Sequence, residues 1–238
     1  MIRVRNVSKS FNDQLVLNDV SLDIKSEEIF VVLGESGAGK SVLLKHLIGL
    51  LQPDSGTIQI DNEDITHLPE SKLLKMRKKM GYLFQEGALY DFMTVFENIA
   101  FPLREHAHLD EKTIRQKVKD ILKMIDLDEV EEKMPAQLSG GMKKRVALAR
   151  AMILDSKILF CDEPTSGLDP IRSRDVSDLI RNVSRKFGCT TVITSHDIRN
   201  SFRVADRLAL IHDGKIIAMG TQDELKASKD AFVKEFIS

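Results

Sequence analysis

A glycine-rich loop between an apolar run and a helix-forming run constrains this chain more than any other feature. The loop reads Gly-Glu-Ser-Gly-Ala-Gly-Lys-Ser over Gly34–Ser41, after the apolar run Ile29–Leu33 and before the helix-like run Val42–Leu51. It matches G-x-x-x-x-G-K-[ST], in which glycines let backbone N–H groups turn toward a phosphate and the following helix N-terminus adds positive charge. An ordinary strand-to-helix turn does not require eight matched positions, so the loop predicts a nucleoside triphosphate site.

The residues of this loop supply the first predicted nucleotide contacts. The Lys40 ammonium would reach the β- and γ-phosphates, and the Ser41 hydroxyl would coordinate Mg²⁺. The predicted contacts here are Gly34, Glu35, Ser36, Gly37, Ala38, Gly39, Lys40, Ser41 and Val42.

Apolar periodicity divides the rest of the chain into strand-rich and helical stretches. Residues 86–154 show helical periodicity without a convincing strand, and Ile114, Val118 and Ile121 fall on one helical face. Elsewhere the predicted elements are strands at 20–24, 57–60, 81–84, 158–161 and 190–194, a hairpin over 208–218 turning at Asp213-Gly214, and one polar helix from about Gln222.

These stretches predict one domain of mixed architecture over residues 1–238. Residues 1–85 and 155–238 would form an α/β core, and residues 86–154 a helical subdomain. A chain of 238 residues with 42% hydrophobic content can bury one core with a smaller subdomain.

Charge balance and cysteine usage limit the classes of function. The 35 basic and 36 acidic residues give a net charge of −1, which provides no general attraction to nucleic acid. Cys161 and Cys189 lack metal-ligand spacing, and no apolar run approaches the roughly 18 residues of a membrane span. We therefore expect no nucleic-acid partner and a cytoplasmic chain that would need a partner for any membrane role.

Two adjacent carboxylates follow the apolar run Ile158–Cys161. An acidic residue at the carboxyl end of a parallel strand faces the crevice in which ligands bind. Asp162 would hold Mg²⁺ through its water shell, and Glu163 would orient the attacking water or accept its proton. Acids after an apolar strand are common, but together with the glycine loop they indicate nucleotide hydrolysis.

The segment Leu138–Met142 is a second candidate anion site. Ser139 would cap the helical run 142–153, and backbone amides would be exposed at that helix N-terminus. One chain does not need two sites for the same γ-phosphate. We therefore expect Ser139, Gly140 and Gly141 to close over a nucleotide that another subunit holds.

Taken in order, these motifs resemble those of the ATP-binding cassette (ABC) family over essentially the whole chain. The loop 34–41 resembles the Walker A loop, the segment 138–142 the signature, and Asp162-Glu163 the Walker B aspartate with the catalytic glutamate. The other matches are Gln85 with the Q-loop glutamine, Asp169 in the D-loop 166–169, His196 with the switch histidine, and Phe11 with the aromatic residue that stacks on adenine. The family usually has tyrosine at that last position, and phenylalanine keeps the aromatic face.

The resemblance implies a P-loop NTPase fold: a RecA-like α/β core, an N-terminal antiparallel β-subdomain and an inserted α-helical subdomain. It also implies ATP as the nucleotide and a head-to-tail homodimer of cassettes that drives an integral-membrane permease. The implied site residues are Ser41, Gln85 and Asp162 for Mg²⁺, and Lys40, Gln85, Glu163 and His196 for catalysis.

One departure from the family pattern points to a particular group. Met142 stands where most cassettes have Gln and is followed by Lys143-Lys144 and Arg145, a variant typical of Mla-type cassettes. Residues 84–91 and 102–106 resemble the same group, which works with MCE-domain proteins to move phospholipid between bacterial membranes. This implies a location at the cytoplasmic face of the bacterial inner membrane. The implied partners are a permease, an MCE-domain lipid-binding protein and a small accessory subunit.

An apolar set follows Gln85, in the region where the family receives a coupling helix from the permease. We expect about half of this set to be core of the helical subdomain and the rest to form a docking surface. The set is Phe92, Met93, Val95, Phe96, Ile99 and Phe101.

Other functions share some of these motifs. Cassettes for amino-acid import or lipoprotein release share every core motif. Soluble ABC ATPases that act on DNA or ribosomes usually carry tandem cassettes, coiled-coil insertions or zinc motifs, which this sequence lacks. A nucleotide-binding module without turnover is disfavoured because Glu163 and His196 are both present.

Overall fold

The computed structural model describes residues 2–237, which contain two β-sheets. The strands are β1 (Ile2–Phe11), β2 (Gln14–Ile24), β3 (Ile29–Leu33), β4 (Ser55–Ile60), β5 (Glu63–Asp64), β6 (Met80–Leu83), β7 (Ile158–Asp162), β8 (Thr190–Ser195), β9 (Arg207–His212) and β10 (Lys215–Gly220). An antiparallel sheet has the order β2-β1-β4-β5. The larger sheet has the order β10-β9-β3-β8-β7-β6, with parallel pairing from β9 to β6.

The helices connect these strands and confirm the predicted fold class. They are α1 (Lys40–Leu47), α2 (Glu70–Arg77), α3 (Val95–His106), α4 (Glu111–Met124), α5 (Gly140–Met152), α6 (Pro170–Phe187), α7 (Ile198–Val204), α8 (Gln222–Lys226) and α9 (Ala231–Ile237). Helices α3, α4 and α5 all fall between β6 and β7. The structure is thus an α/β core with an antiparallel β-sheet and inserted helices, as expected for a P-loop NTPase.

Strand β3 is buried on both faces, which explains its uninterrupted apolar sequence. Ile29, Val31 and Leu33 pack into a core that includes helices α3 to α6. Phe30 and Val32 face the other way, into a core shared with α1 and the antiparallel sheet. The loop that follows β3 therefore starts from a fixed point between the two cores.

Side-chain caps determine where the helices next to the site begin. Ser139 accepts a hydrogen bond from the Met142 amide at the start of α5, and Asp169 accepts from Ile171 and Arg172 at the start of α6. Such caps satisfy amides that have no partner within the helix.

The C-terminal end differs from the sequence-based expectation. The single polar helix predicted from about Gln222 is two short helices, α8 and α9. Asp230 separates them because its carboxylate accepts from the amides of Phe232 and Val233, at 2.9 and 3.1 Å, and so starts a new helix. The predicted hairpin at Asp213-Gly214 is confirmed as β9–β10. Among residues 2–237, no helix combines the length and apolar character needed to span a membrane.

Candidate nucleotide-binding site

The glycine loop lies at the carboxyl end of β3 and passes directly into α1. Gly39 has a φ of +97°, which L side chains rarely adopt, and an added Cβ would lie 2.9 Å from the Val16 carbonyl oxygen. A Cβ on Gly34 would lie 2.5 Å from the Ile211 carbonyl oxygen. Glycine is therefore required at both ends of the loop, by backbone conformation at one and by close packing at the other.

Lys40 is buried inside this loop. Its Nζ donates to the carbonyl oxygens of Gly34 at 2.9 Å and Glu35 at 2.8 Å. It also lies 3.0 Å from Glu163 Oε1, and the two side chains are only 4% and 15% exposed. The ammonium is thus held at the point where the loop faces the carboxyl end of β7.

The Asp162 carboxylate is surrounded by hydroxyl groups from three elements. Ser41 Oγ donates to Oδ1 at 2.8 Å, Thr194 Oγ1 donates to Oδ1 at 2.7 Å, and the Tyr82 hydroxyl donates to Oδ2 at 3.3 Å. Burial, together with the nearby Asp162 carboxylate, raises the pKa of the Tyr82 hydroxyl well above its ordinary value, so it stays protonated and donates. Asp162 is therefore oriented by neutral donors around both of its oxygens.

Glu163 has an unusual backbone conformation for its residue type. Its φ is +42°, in the left-handed region, which costs a residue other than glycine about 1–3 kcal/mol. Its amide donates to the carbonyl oxygen of Thr194 at 3.2 Å and to the Thr194 hydroxyl at 3.0 Å. Its side chain reaches back between Lys40 and His196, whose Nδ1 lies 2.9 Å from Glu163 Oε2.

Gln85 meets these groups at a cavity of about 230 Å³. The cavity is lined by Val16, Ser36, Gly37, Gly39, Lys40, Ser41, Val42, Gln85 and Glu163. The Gln85 amide donates to Ser166 Oγ at 3.2 Å, and its backbone carbonyl accepts from Lys144 of α5. The structure thus brings together Lys40, Ser41, Gln85, Asp162, Glu163 and His196.

Five further predicted contact residues lie elsewhere. Ser139 and Gly141 line a separate cavity of about 350 Å³ with Met142 and Arg145, and Gly140 begins α5. Asp169 is exposed, and its carboxylate caps α6 and lies 3.3 Å from Arg172 Nε. Phe11 ends β1, is 40% exposed, and has the Lys9 ammonium 5.5 Å from its ring centre. Their roles toward nucleotide stay predictions.

Sequence reasoning missed the side chains that support the site. Thr194 and Tyr82 hold the Asp162 carboxylate, and Lys144 and Arg150 donate to backbone carbonyls of residues 85–88. Thr194 could have been found only from its parallel pairing with Asp162, which places the two side chains next to each other on one face of the sheet.

Comparison with known proteins identifies the family. The family model described as "ABC transporter" matches residues 17–166, more than half of the chain. The chain belongs to the ABC transporter family. It is therefore an ATP-binding cassette that hydrolyses ATP, as the motifs predict.

Relatives of this cassette carry different transport names at similar identity. The "Probable ribonucleotide transport ATP-binding protein mkl" of Mycobacterium leprae is 41% identical over 100% of this chain and 68% of that protein. The "Intermembrane phospholipid transport system ATP-binding protein MlaF" of Haemophilus influenzae is 40% identical over 100% of this chain and 90% of that protein. "Methionine import ATP-binding protein MetN" of Campylobacter jejuni is 39% identical over 100% of this chain and 75% of that protein.

A solved cassette has the same fold. The dimeric ATP-binding cassette MJ0796, in a post-hydrolysis state bound to ADP and Pi, superposes with a TM-score of 0.84 and is 31% identical. The match covers 93% of this cassette and 98% of that chain.

The donor set around Asp162 fits Mg²⁺. Ser41 Oγ and Asp162 Oδ1 lie 2.8 Å apart, and Gln85 lines the same cavity as Ser41. Oxygen ligands of the kind that Mg²⁺ prefers therefore converge at one end of the glycine loop, called the phosphate loop below. Because Gly34 and Gly39 have no side chain, a phosphate group can come close to the backbone amides of the loop. The cassette therefore has suitable residues for both ATP and Mg²⁺.

Proposed function

We propose that this cassette couples ATP hydrolysis to phospholipid transport, as the ATPase subunit of a complex with a membrane permease and an MCE-domain protein. The observation that carries the proposal is the resemblance of Met142, the basic residues 143–145 and the segments 84–91 and 102–106 to Mla-type cassettes. The 40% identity to MlaF over 90% of that relative's length supports it.

The residues around Glu163 would carry the hydrolysis step. Glu163 would accept a proton from the attacking water. The water oxygen would bond to the γ-phosphorus while the bond between the γ-phosphorus and the β–γ bridging oxygen breaks. His196, 2.9 Å from Glu163, would orient that carboxylate and meet the γ-phosphate. Lys40 would exchange its contact with Glu163 for phosphate oxygens. Mg²⁺ held by Ser41, Gln85 and Asp162 would neutralise phosphate charge.

Two copies of the cassette would complete each site. The signature residues Ser139 and Gly141 line a cavity different from that of the phosphate loop. A head-to-tail dimer would place the signature of one copy over the loop of the other, with Phe11 against adenine and Asp169 at the dimer contact. The dimeric state of the MJ0796 cassette supports the pairing of two copies.

A groove beside the Q-loop would receive the permease. It has a volume of about 750 Å³ and lies between the α2–β6 segment and helices α3 and α5, with Tyr82, Phe84, Tyr90 and Phe101 in its lining. Phe92, next to Tyr90, is 75% exposed. Val95, Phe96 and Ile99 are buried, so half of the apolar set after Gln85 is core and the other half remains available for docking.

The second candidate function is amino-acid import. MetN of Campylobacter jejuni is 39% identical over the whole of this chain, close to the 40% of MlaF. Identity alone does not separate the two, because the cassette contacts the permease and not the cargo.

Purification of the intact complex distinguishes these functions. A tagged cassette, extracted from its native membrane in mild detergent, should copurify with a permease and an MCE-domain protein. The reconstituted complex should move a fluorescent phospholipid between vesicles when ATP is added, and the Glu163→Gln complex should not. An amino-acid permease as the stoichiometric partner, or ATP-driven methionine uptake, would refute the lipid proposal.

A further inference from the structure

Thr194 carries a buried hydroxyl at the end of a largely apolar sheet face, beside Asp162. Thr194 is 0% exposed, and on the same face of β8 and of the neighbouring strands lie Val192, Val32 and Phe160. A valine would fill this space equally well without a polar atom. A hydroxyl that is removed from water here is costly unless its hydrogen-bonding capacity is used.

This hydroxyl joins the two carboxylate residues at the end of β7. It donates to Asp162 Oδ1 at 2.7 Å, a shorter contact than the 3.5 Å to the Cys161 carbonyl oxygen. It also accepts from the backbone amide of Glu163 at 3.0 Å. One atom therefore contacts the side chain of Asp162 and the main chain of Glu163.

The contact with Glu163 lies where the backbone is strained. Glu163 has a φ of +42°, and its amide is directed at both oxygens of Thr194. Strained conformations of this kind persist when surrounding contacts hold them, and they often occur where a side chain must be aimed at a reaction. The Glu163 carboxylate is aimed between Lys40 and His196.

We propose that Thr194 is a positioning residue for ATP hydrolysis. Its hydroxyl fixes the Asp162 carboxylate and the Glu163 backbone relative to each other, so that the metal ligand and the proton acceptor keep one mutual geometry. The inference rests on the roles proposed above for Asp162 and Glu163.

Replacing the Thr194 hydroxyl by a methyl group, which keeps the shape of the side chain, tests this role. Thr194→Val in the full chain should lower kcat for ATP by about tenfold to a hundredfold, because small displacements of reacting groups have effects of this size. ATP affinity measured with a fluorescent analogue at saturating Mg²⁺ should stay nearly unchanged, whereas the Mg²⁺ concentration needed for half-maximal binding should rise. Thr194→Ser, which keeps the hydroxyl, should restore most of kcat. Thr194→Ala provides a second variant without the hydroxyl.

A second buried threonine on the same strand provides the matched control. Thr191 is also 0% exposed, but its hydroxyl donates to Ser184 at 2.8 Å, away from the site. Thr191→Val should leave kcat and the Mg²⁺ dependence unchanged. An equal loss of kcat in Thr191→Val, equal losses in Thr194→Ser and Thr194→Val, or wild-type kcat in Thr194→Val would each overturn the inference.

Glu163→Gln, assayed in parallel, separates the role inferred for Thr194 from the role proposed for Glu163, on which it rests. Retained turnover in Glu163→Gln would remove the proposed role of Glu163 itself. Lost turnover in Glu163→Gln, together with wild-type behaviour of Thr194→Val, would remove only the role of Thr194.

Discussion

Lys40 and Glu163 form a partly buried ion pair at the centre of the candidate site. The Lys40 ammonium contacts two loop carbonyl oxygens and the Glu163 carboxylate, all at 2.8–3.0 Å. Phosphate oxygens and the carboxylate would compete for the same ammonium, because both are anionic acceptors. ATP binding is therefore expected to release Glu163 for its proposed role as proton acceptor.

Loss of the Lys40 ammonium should abolish ATP binding. Charge-assisted hydrogen bonds contribute about 1.5–3 kcal/mol each, so two lost phosphate contacts correspond to at least a hundredfold or so in affinity. Lys40→Ala should therefore weaken binding of a fluorescent ATP analogue by about that factor or more. Lys45→Ala is the matched control, since Lys45 is exposed on the same helix α1. ATP affinity within a few-fold of wild type in Lys40→Ala would contradict its assignment.

Glu163→Gln should uncouple ATP binding from hydrolysis. The amide keeps the size of the side chain but cannot accept the proton of the attacking water. We expect loss of phosphate release and accumulation of an ATP-bound dimer, measured by size-exclusion chromatography with radiolabelled ATP. Glu86→Gln, an exposed carboxylate next to Gln85, should keep normal turnover. Unchanged turnover in Glu163→Gln would exclude this residue as the general base.

At the scale of elements, helix α5 links the signature to the Q-loop. It begins at the signature residue Gly140, and two of its cations donate to the backbone of the Q-loop segment. Lys144 donates to the Gln85 carbonyl, and Arg150 donates to the carbonyls of Gly87 and Ala88, both at 2.8 Å. A rotation of α5 would therefore move Gln85 together with the groove proposed to receive the permease, which Arg150 helps to line.

Arg150→Met should loosen the Q-loop segment. The change leaves the carbonyl of the buried Gly87 without this donor, at about 1–3 kcal/mol, whereas the exposed Ala88 carbonyl can turn to water. For a chain of this size, each kcal/mol lowers the melting temperature by about 2–4 °C. We expect a lower melting temperature and faster amide hydrogen exchange over residues 84–90. Arg203→Met is the control, because Arg203 pairs with Asp178 of helix α6 at the surface and its loss should leave exchange over residues 84–90 unchanged. Equal rates of amide hydrogen exchange over residues 84–90 in the two variants would contradict the proposed link between α5 and the Q-loop.

The elements that could be predicted from sequence are those with a local signal. The glycine loop, the apolar strand before Asp162 and the turn at Asp213-Gly214 each carry their own pattern, and the structure has the expected elements there. Thr194 carries no such pattern, because its role depends on pairing with Asp162 on another strand. The prediction of a single helix from about Gln222 was wrong because Asp230 starts a new helix. This effect of one side chain is not detected by apolar periodicity.

For the whole molecule, the separation of the signature cavity from the glycine-loop cavity predicts that each active site is shared between copies. Lys40→Ala damages the phosphate-loop side of a site, and Ser139→Arg damages the signature side by placing a bulky cation at the start of α5. In a mixed dimer of these variants, one composite site carries both lesions and the other carries none. Mixing two inactive proteins should therefore restore ATP hydrolysis, measured as phosphate release.

A second mixture provides the control for this complementation. Lys40→Ala and Glu163→Gln both damage the phosphate-loop side, so every composite site in their mixed dimer keeps one lesion and no activity should return. Recovery in the first mixture and none in the second would support a head-to-tail dimer. If ATP hydrolysis does not recover in the first mixture, while Ser139→Arg alone still binds ATP, the signature does not act on a partner's nucleotide. The cavity at Ser139 and Gly141 would then need a different explanation.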